Sequence, residues 1–167
     1  YTLSLHDALP ILVFRPFKVG DFVDAGGKSG TVDSISLFST TLTTTDNKVV
    51  ILPNSTIISK DITNFSARDT RRVDFVFGVS YGDDIKKVKE TLEELVASEP
   101  RALKEPAHLV VVSELADSSV NFTVRIWVNT PDYWGVYFDT LERVKLAFDE
   151  KGITIPFPQR EVWQRKE

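Results

Sequence analysis

The chain of 167 residues has no cysteine, which excludes disulfides and thiolate metal sites and fits a reducing compartment. It has no methionine either, so the sequence is expected to be a piece of a longer protein. Only two histidines occur, His6 and His108. They lie far apart with no ligand cluster around them, so neither metal binding nor proton relay is expected. No apolar run approaches the roughly 20 residues that a membrane helix needs. The longest candidate, Leu9 to Phe14, is interrupted by Pro10. There is no basic excess. Net charge is −4, with −1 over residues 1–65 and −3 over residues 66–167. A surface that binds a phosphate backbone needs the opposite balance. The serines lack the turn that exposes a nucleophile. Gly26-Gly27-Lys28-Ser29-Gly30 lacks the first glycine of a phosphate loop and precedes a strand pattern, so it reads as a hairpin. No enzyme and no cofactor are expected.

What is present suits a folded core: 42% of residues are hydrophobic and 26% charged. Residues 18–66 are rich in β-branched residues punctuated by glycine. Val19, Phe22 and Val23 open a strand, and Gly26-Gly27 and Gly30 mark tight turns or close backbone approaches. Thr40 to Thr45 forms a second strand, Asp46-Asn47 a two-residue turn, and Lys48 to Leu52 the returning strand, which Pro53 ends. These pieces predict a short bent antiparallel barrel of about 50 residues, a size marginal alone. Its edges invite pairing with other copies.

The pattern then changes. Val73, Phe75, Phe77 and Val79 alternate as a half-buried strand. Asp83 is expected to cap a helix whose apolar face is Ile85, Val88, Leu92, Leu95 and Val96. Leu109 to Glu114 is a second strand. A third follows the Asp117-Ser118 turn, with Val120, Phe122, Val124, Ile126 and Val128 facing one way. Thr130-Pro131 starts a second helix with a predicted buried stripe of Trp134, Tyr137, Phe138, Leu141, Val144 and Phe148, stopped by Gly152. The order predicted over residues 67–160 is ferredoxin-like, βαββαβ, so the fold class is α+β. Residues 161–167 are expected to form a C-terminal strand or tail, through Glu161 to Gln164.

Several ordered landmarks run through the chain. They are Phe14-Arg15-Pro16-Phe17-Lys18-Val19-Gly20-Asp21, Gly30-Thr31-Val32, Phe38-Ser39-Thr40-Thr41, Ile51-Leu52-Pro53-Asn54-Ser55 and Asn64-Phe65-Ser66. Arg71-Arg72, Gly78-Val79-Ser80-Tyr81, Leu141-Glu142-Arg143 and Ile155-Pro156-Phe157-Pro158-Gln159 follow. In order and spacing the set resembles the cytoplasmic region of the small-conductance mechanosensitive channel family. The chain departs from the family at Ser55, where glycine is frequent, and at Asp46-Asn47, where Asp-Gly is usual. Residues 1–11 do not resemble the family's glycine- and alanine-rich pore helix, and are read as a non-native leader. Residues 12–17 are read as the end of that helix.

The resemblance implies an Sm-like barrel followed by the ferredoxin-like domain, in the vestibule of a heptameric channel gated by tension under osmotic downshock. Its partners would be further copies of itself, ions and small solutes, and the membrane through N-terminal helices, at the cytoplasmic face of the inner membrane. Nucleic acid is not expected. The resemblance implies roles for three residue groups. Arg15, Pro16 and Lys18 would form the membrane–barrel junction. Pro53, Asn54 and Ser55 would form a turn that influences gating and inactivation. Arg68, Asp69, Arg71, Arg72 and Asp74 would supply charge at lateral portals. The alternatives are a soluble RNA-binding ring and a small-molecule regulatory domain.

Overall fold

The computed structural model describes residues 11 and 13–165. It divides between Asp69 and Thr70 into two compact units, each with its own core.

The first unit is a five-stranded antiparallel sheet: β1 (Phe22–Ala25), β2 (Lys28–Ile35), β3 (Ser39–Thr43), β4 (Val49–Pro53) and β5 (Ile62–Asn64), in the order β4-β3-β2-β1-β5. Gly26 and Gly27, both at positive φ, make the β1–β2 turn. A Cβ on Gly30 would meet the Thr43 carbonyl oxygen at 2.7 Å, so glycine lets β2 and β3 close up. A register shift between Val32 and Ser34 bends β2. Of the Asp46-Asn47 pair, Asn47 takes the left-handed conformation, at φ +63°. The buried face is Val23, Ala25, Val32, Leu42 and Leu52, joined by Ile11, Phe17 and Ile57.

Two features of this unit differ from expectation. Asn54–Ile58 is a short helix, α1, where only a turn is expected. Ile11 falls within the predicted leader, yet it is buried at 1% exposure in this core, and its carbonyl accepts from the Arg15 N–H at 3.0 Å. The rest of the leader, residues 1–10, lies outside the described residues.

The second unit follows the order β6 (Thr70–Val79), α2 (Ile85–Ala97), β7 (Leu109–Leu115), β8 (Val120–Asn129), a 3-10 turn (Thr130–Asp132) and α3 (Tyr133–Lys151). The sheet order is β6-β8-β7, with every pairing antiparallel. The β8 alternation holds, with Val120, Phe122, Val124, Ile126 and Val128 all buried. Gly152 ends α3 at φ +64°.

Three details are corrected. Asp84, not Asp83, caps α2, accepting from the Lys86 and Lys87 N–H groups. Asp83 instead accepts from the N–H groups of Ser80 and Thr154. It thus ties the end of β6 to the chain leaving α3. The buried stripe of α3 is Val136, Thr140, Val144 and Phe148, with Tyr133 and Tyr137 packed beside it. Trp134 (58% exposed), Phe138 (61%) and Leu141 (40%) lie on a neighbouring exposed face, about a third of a turn away. Finally, residues 153–165 form no strand. Ser80 N–H donates to the Thr154 carbonyl at 2.9 Å beside the β6 edge, where a fourth strand of the βαββαβ order belongs. Val162 and Trp163 are exposed, and a strand needs a partner edge that this segment does not meet.

Candidate functional site

The predicted junction residues sit on a pinned lead-in. Arg15 has a left-handed φ of +43°, which ends a single helical turn just before Pro16. Phe17 inserts into the core at 2% exposure, while Arg15, Pro16 and Lys18 stay exposed. The pin is Asp21, a buried carboxylate not singled out from the sequence. Its Oδ2 accepts from the Lys18 N–H at 3.0 Å and from Asn64 Nδ2 at 2.8 Å. Asn64 Nδ2 also reaches the Pro16 carbonyl at 3.2 Å. Ser66 Oγ accepts from the Phe22 N–H, and the Phe22 and Phe65 rings stand 5.8 Å apart. The Asn64-Phe65-Ser66 landmark thus fastens the start of the sheet to its end.

Asn54 is at 1% exposure, and its amide is fully used. Nδ2 donates to the Ser36 and Leu37 carbonyls, both at 3.0 Å, and Oδ1 accepts from the Thr40 hydroxyl at 2.9 Å. Its backbone N–H donates to the Phe38 carbonyl. The Ser36–Phe38 turn is therefore held against the first residue of α1. Pro53 caps the helix with no side-chain hydrogen bond, and Ser55 is half-buried.

The five predicted portal charges do not form one cluster. Arg68 and Asp69 are exposed just before β6. Strand alternation sends Arg71 and Arg72 to opposite faces of the sheet. The Arg71 guanidinium lies 3.8 Å from the centre of the Tyr133 ring, on the helix side. Arg72 is on the open side, where it grips Asp74 with two bonds of 2.6 and 2.9 Å. The hydrogen bonds to the Asp74 carboxylate raise the Arg72 pKa above its ordinary value. Arg125 on β8 stands opposite Asp74, with Nε 4.0 Å from its Oδ2. Arg125 completes this group, and a cross-strand register would have been needed to find it.

The best-built charged group was not foreseen at all. Glu99, after α2, is buried at 5% exposure. Oε1 accepts from Arg101 N–H and Nε at 3.1 and 2.7 Å, and Oε2 accepts from Arg101 and Arg143 at 3.1 and 3.0 Å. Arg143 continues to the Leu95 carbonyl and Ser98 Oγ, and Arg101 to Asp139 at 2.7 Å. The hydrogen bonds from Arg101 hold the Glu99 carboxyl below its ordinary range, against the opposing effect of burial. The network locks the segment after α2 onto α3. Arg143 belongs to the Leu141-Glu142-Arg143 landmark, so that signal was visible without its partner.

Among the described residues, no group of three or more histidine or acidic side chains could hold a metal ion, and no helix is long and apolar enough to cross a membrane. His108 pairs with Glu93 at 2.7 Å.

A bent antiparallel sheet unit followed by an α/β unit defines a two-part α+β class shared with known channel vestibules. Two family models match in succession: "Mechanosensitive ion channel, beta-domain" over residues 1–67 and "Mechanosensitive ion channel MscS, C-terminal" over residues 73–155. The small-conductance mechanosensitive channel of Edwardsiella ictaluri is 47% identical over 152 residues, which cover 91% of this chain and 53% of that protein. That of Helicobacter pylori is 30% identical over 163 residues, covering 97% and 60%. The crystal structure of Helicobacter pylori MscS in its closed state superposes with a TM-score of 0.90 at 29% identity, covering 98% of this chain and 65% of that one. The cryo-EM structure of Arabidopsis thaliana MSL1 shares the fold, with a TM-score of 0.74 at 21% identity over 92% and 57% of the two chains. The chain belongs to the MscS family of mechanosensitive ion channels and matches its cytoplasmic region. It spans about half the length of the curated relatives that it matches. The RNA-binding ring and the regulatory domain find no support among these relatives.

Proposed function

We propose that this chain is the cytoplasmic vestibule of a tension-gated channel that opens under osmotic downshock. Seven copies would enclose a chamber with lateral portals, on the inner face of the membrane, below helices that precede this region. The observation that carries the reading is the succession of the β-domain and the C-terminal domain of one channel family within a single chain. Exposed apolar surface supports assembly with other copies. Trp134, Phe138 and Leu141 share one face of α3, and Val49 and Ile51 stand out from the edge strand β4. The vestibule holds the ring together, sieves solutes and biases the gating equilibrium. In this reading residues 18–66 are the barrel domain, 67–160 the ferredoxin-like domain and 161–167 a tail that pairs with its counterparts. Arg15, Pro16 and Lys18 couple the barrel to the pore helix. Asn54, between Pro53 and Ser55, fixes the turn that responds to it. Arg72 and Asp74, with Arg68 and Asp69, tune ion passage at the portals, while Arg71 contributes through its packing on Tyr133.

The test is a chimaera that carries this vestibule on the membrane portion of a related channel. Patch recordings should show tension-activated openings, and native mass spectrometry a sevenfold species. A chimaera that reaches the membrane as a sevenfold ring but never opens under tension would sink the reading.

A further inference from the structure

Between the last turn of α2 and the return into β7 the chain makes an excursion with a cavity of about 440 Å3 beneath it. The excursion is anchored at both ends. At its start, the Leu103 N–H donates to the Trp127 carbonyl at 2.8 Å, Ala102 bridges Val128, and the Glu99 network fixes the preceding turn. At its end, His108 Nε2 pairs with Glu93 of α2. Residues 104–107 are thus carried across a gap rather than packed down onto α2. The walls are small and apolar: Val96, Ala97, Ala102, Leu103 and Ala107. The polar groups at the rim are cationic or can become so, namely Lys104 and His108. Glu99 also lines the space, but both its oxygens are engaged by the Arg101 and Arg143 guanidiniums and the Arg101 N–H, so its charge is paired. Glu93 occupies Nε2 of His108, which leaves Nδ1 as the ring's remaining polar atom.

An apolar pocket of this size with few convergent polar groups is the usual form of a small-molecule site. We propose that this cavity binds a small aliphatic carboxylate. Its apolar body lies between Val96, Ala102 and Leu103, and its carboxylate meets Lys104 and, when the ring is protonated, the Nδ1–H of His108. Each anchored end supplies one side of the site, so occupancy would brace the segment between α2 and β7. The site lies within the second unit and does not depend on the channel reading.

The experiment is a titration of the full 167-residue chain followed by amide NMR shifts, with isovalerate as the probe. Isovaleramide matches the body without the charge, and acetate matches the charge without the body. Saturable shifts are expected at Ala97, Ala102, Leu103, Ala107 and His108 with isovalerate, and about tenfold weaker binding of both controls. Lys104→Gln should weaken isovalerate about fivefold and leave isovaleramide unchanged. Ala107→Leu, on the exposed excursion, should block both ligands by filling the space while leaving the other amide signals in place. Equal binding of acetate would mean surface anion association and overturn the proposal. So would shifts that fail to saturate, or that survive Ala107→Leu.

Discussion

Asn54 serves two carbonyls and a hydroxyl with one buried amide, a set that needs two N–H donors and an oxygen acceptor on the same group. Asn54→Ala should cost about 2–4 kcal/mol, because groups made for hydrogen bonding are left dry and unpaired. Asn54→Asp should cost more, since a carboxylate would face two carbonyl oxygens. Urea unfolding of the first unit checks both, and a loss under 1 kcal/mol for either would mean that water replaces the amide. Glu99 gives a pH signature. Its carboxyl binds a proton less readily folded than unfolded, so its contribution is complete above the ordinary value near 4.5 and drains away as pH falls through the lowered folded value. Glu99→Gln should lose about 3 kcal/mol at neutral pH and show a flatter loss of stability on acidification. Urea midpoints between about pH 3 and 7 would measure this, and an unchanged slope would remove Glu99 from the acid response. The two residues differ in how readable they were. Asn54 stands in a Pro-Asn pair that resembles its family's, so its place was legible although its partners were not. Glu99 has an ordinary surface spacing, and only the tertiary meeting of Arg101 with Arg143, 42 positions apart, makes it a buried acid.

At the scale of the element, α3 carries two apolar faces, and the sequence does not say which one meets the sheet. Trp134, Phe138 and Leu141 fit helical spacing as well as Val136, Thr140 and Val144 do. Val144 and Phe148 are buried as expected, but aromatic bulk drew Trp134 and Phe138 into the stripe, and a buried threonine hid its continuation through Thr140 and Val136. The test is a pair of truncations in the single chain. Phe148→Ala should cost about 3–5 kcal/mol and Phe138→Ala under about 1 kcal/mol. Comparable losses for both would restore the expected stripe. Strands were read more accurately because period-two alternation has one solution per strand, as β6 and β8 show. The expected cap Asp83 and the observed cap Asp84 are adjacent and chemically equal, so only backbone geometry separates them. The final strand failed for a different reason. Extended propensity near Glu161 to Gln164 makes a strand only where an edge is available.

For the molecule as a whole, the composition narrowed the expectations, with no cysteine, two histidines and a net charge of −4. The ordered landmarks supplied the family. Charge at the proposed portals is tested in the chimaera. Arg72→Glu should move the reversal potential toward cations, most strongly at low salt, because Arg72 is on the open face. Arg71→Glu should act mainly by loosening β6 from α3, with little effect on permeation. Equal shifts for the two variants would contradict the opposite-face placement. The separation into two cores has a calorimetric consequence. Unfolding that also releases a bound copy obeys mass action, so its midpoint rises with protein concentration, whereas unfolding of a lone unit does not. The chain should melt in two steps, one per core. If the aromatic face of α3 is covered by a neighbour, only the step of the second unit will climb on dilution series run from low to high concentration. If edge β4 does the joining, the first unit's step will climb instead. A single pair of thermograms at widely separated concentrations therefore reports which half of the chain does the gathering.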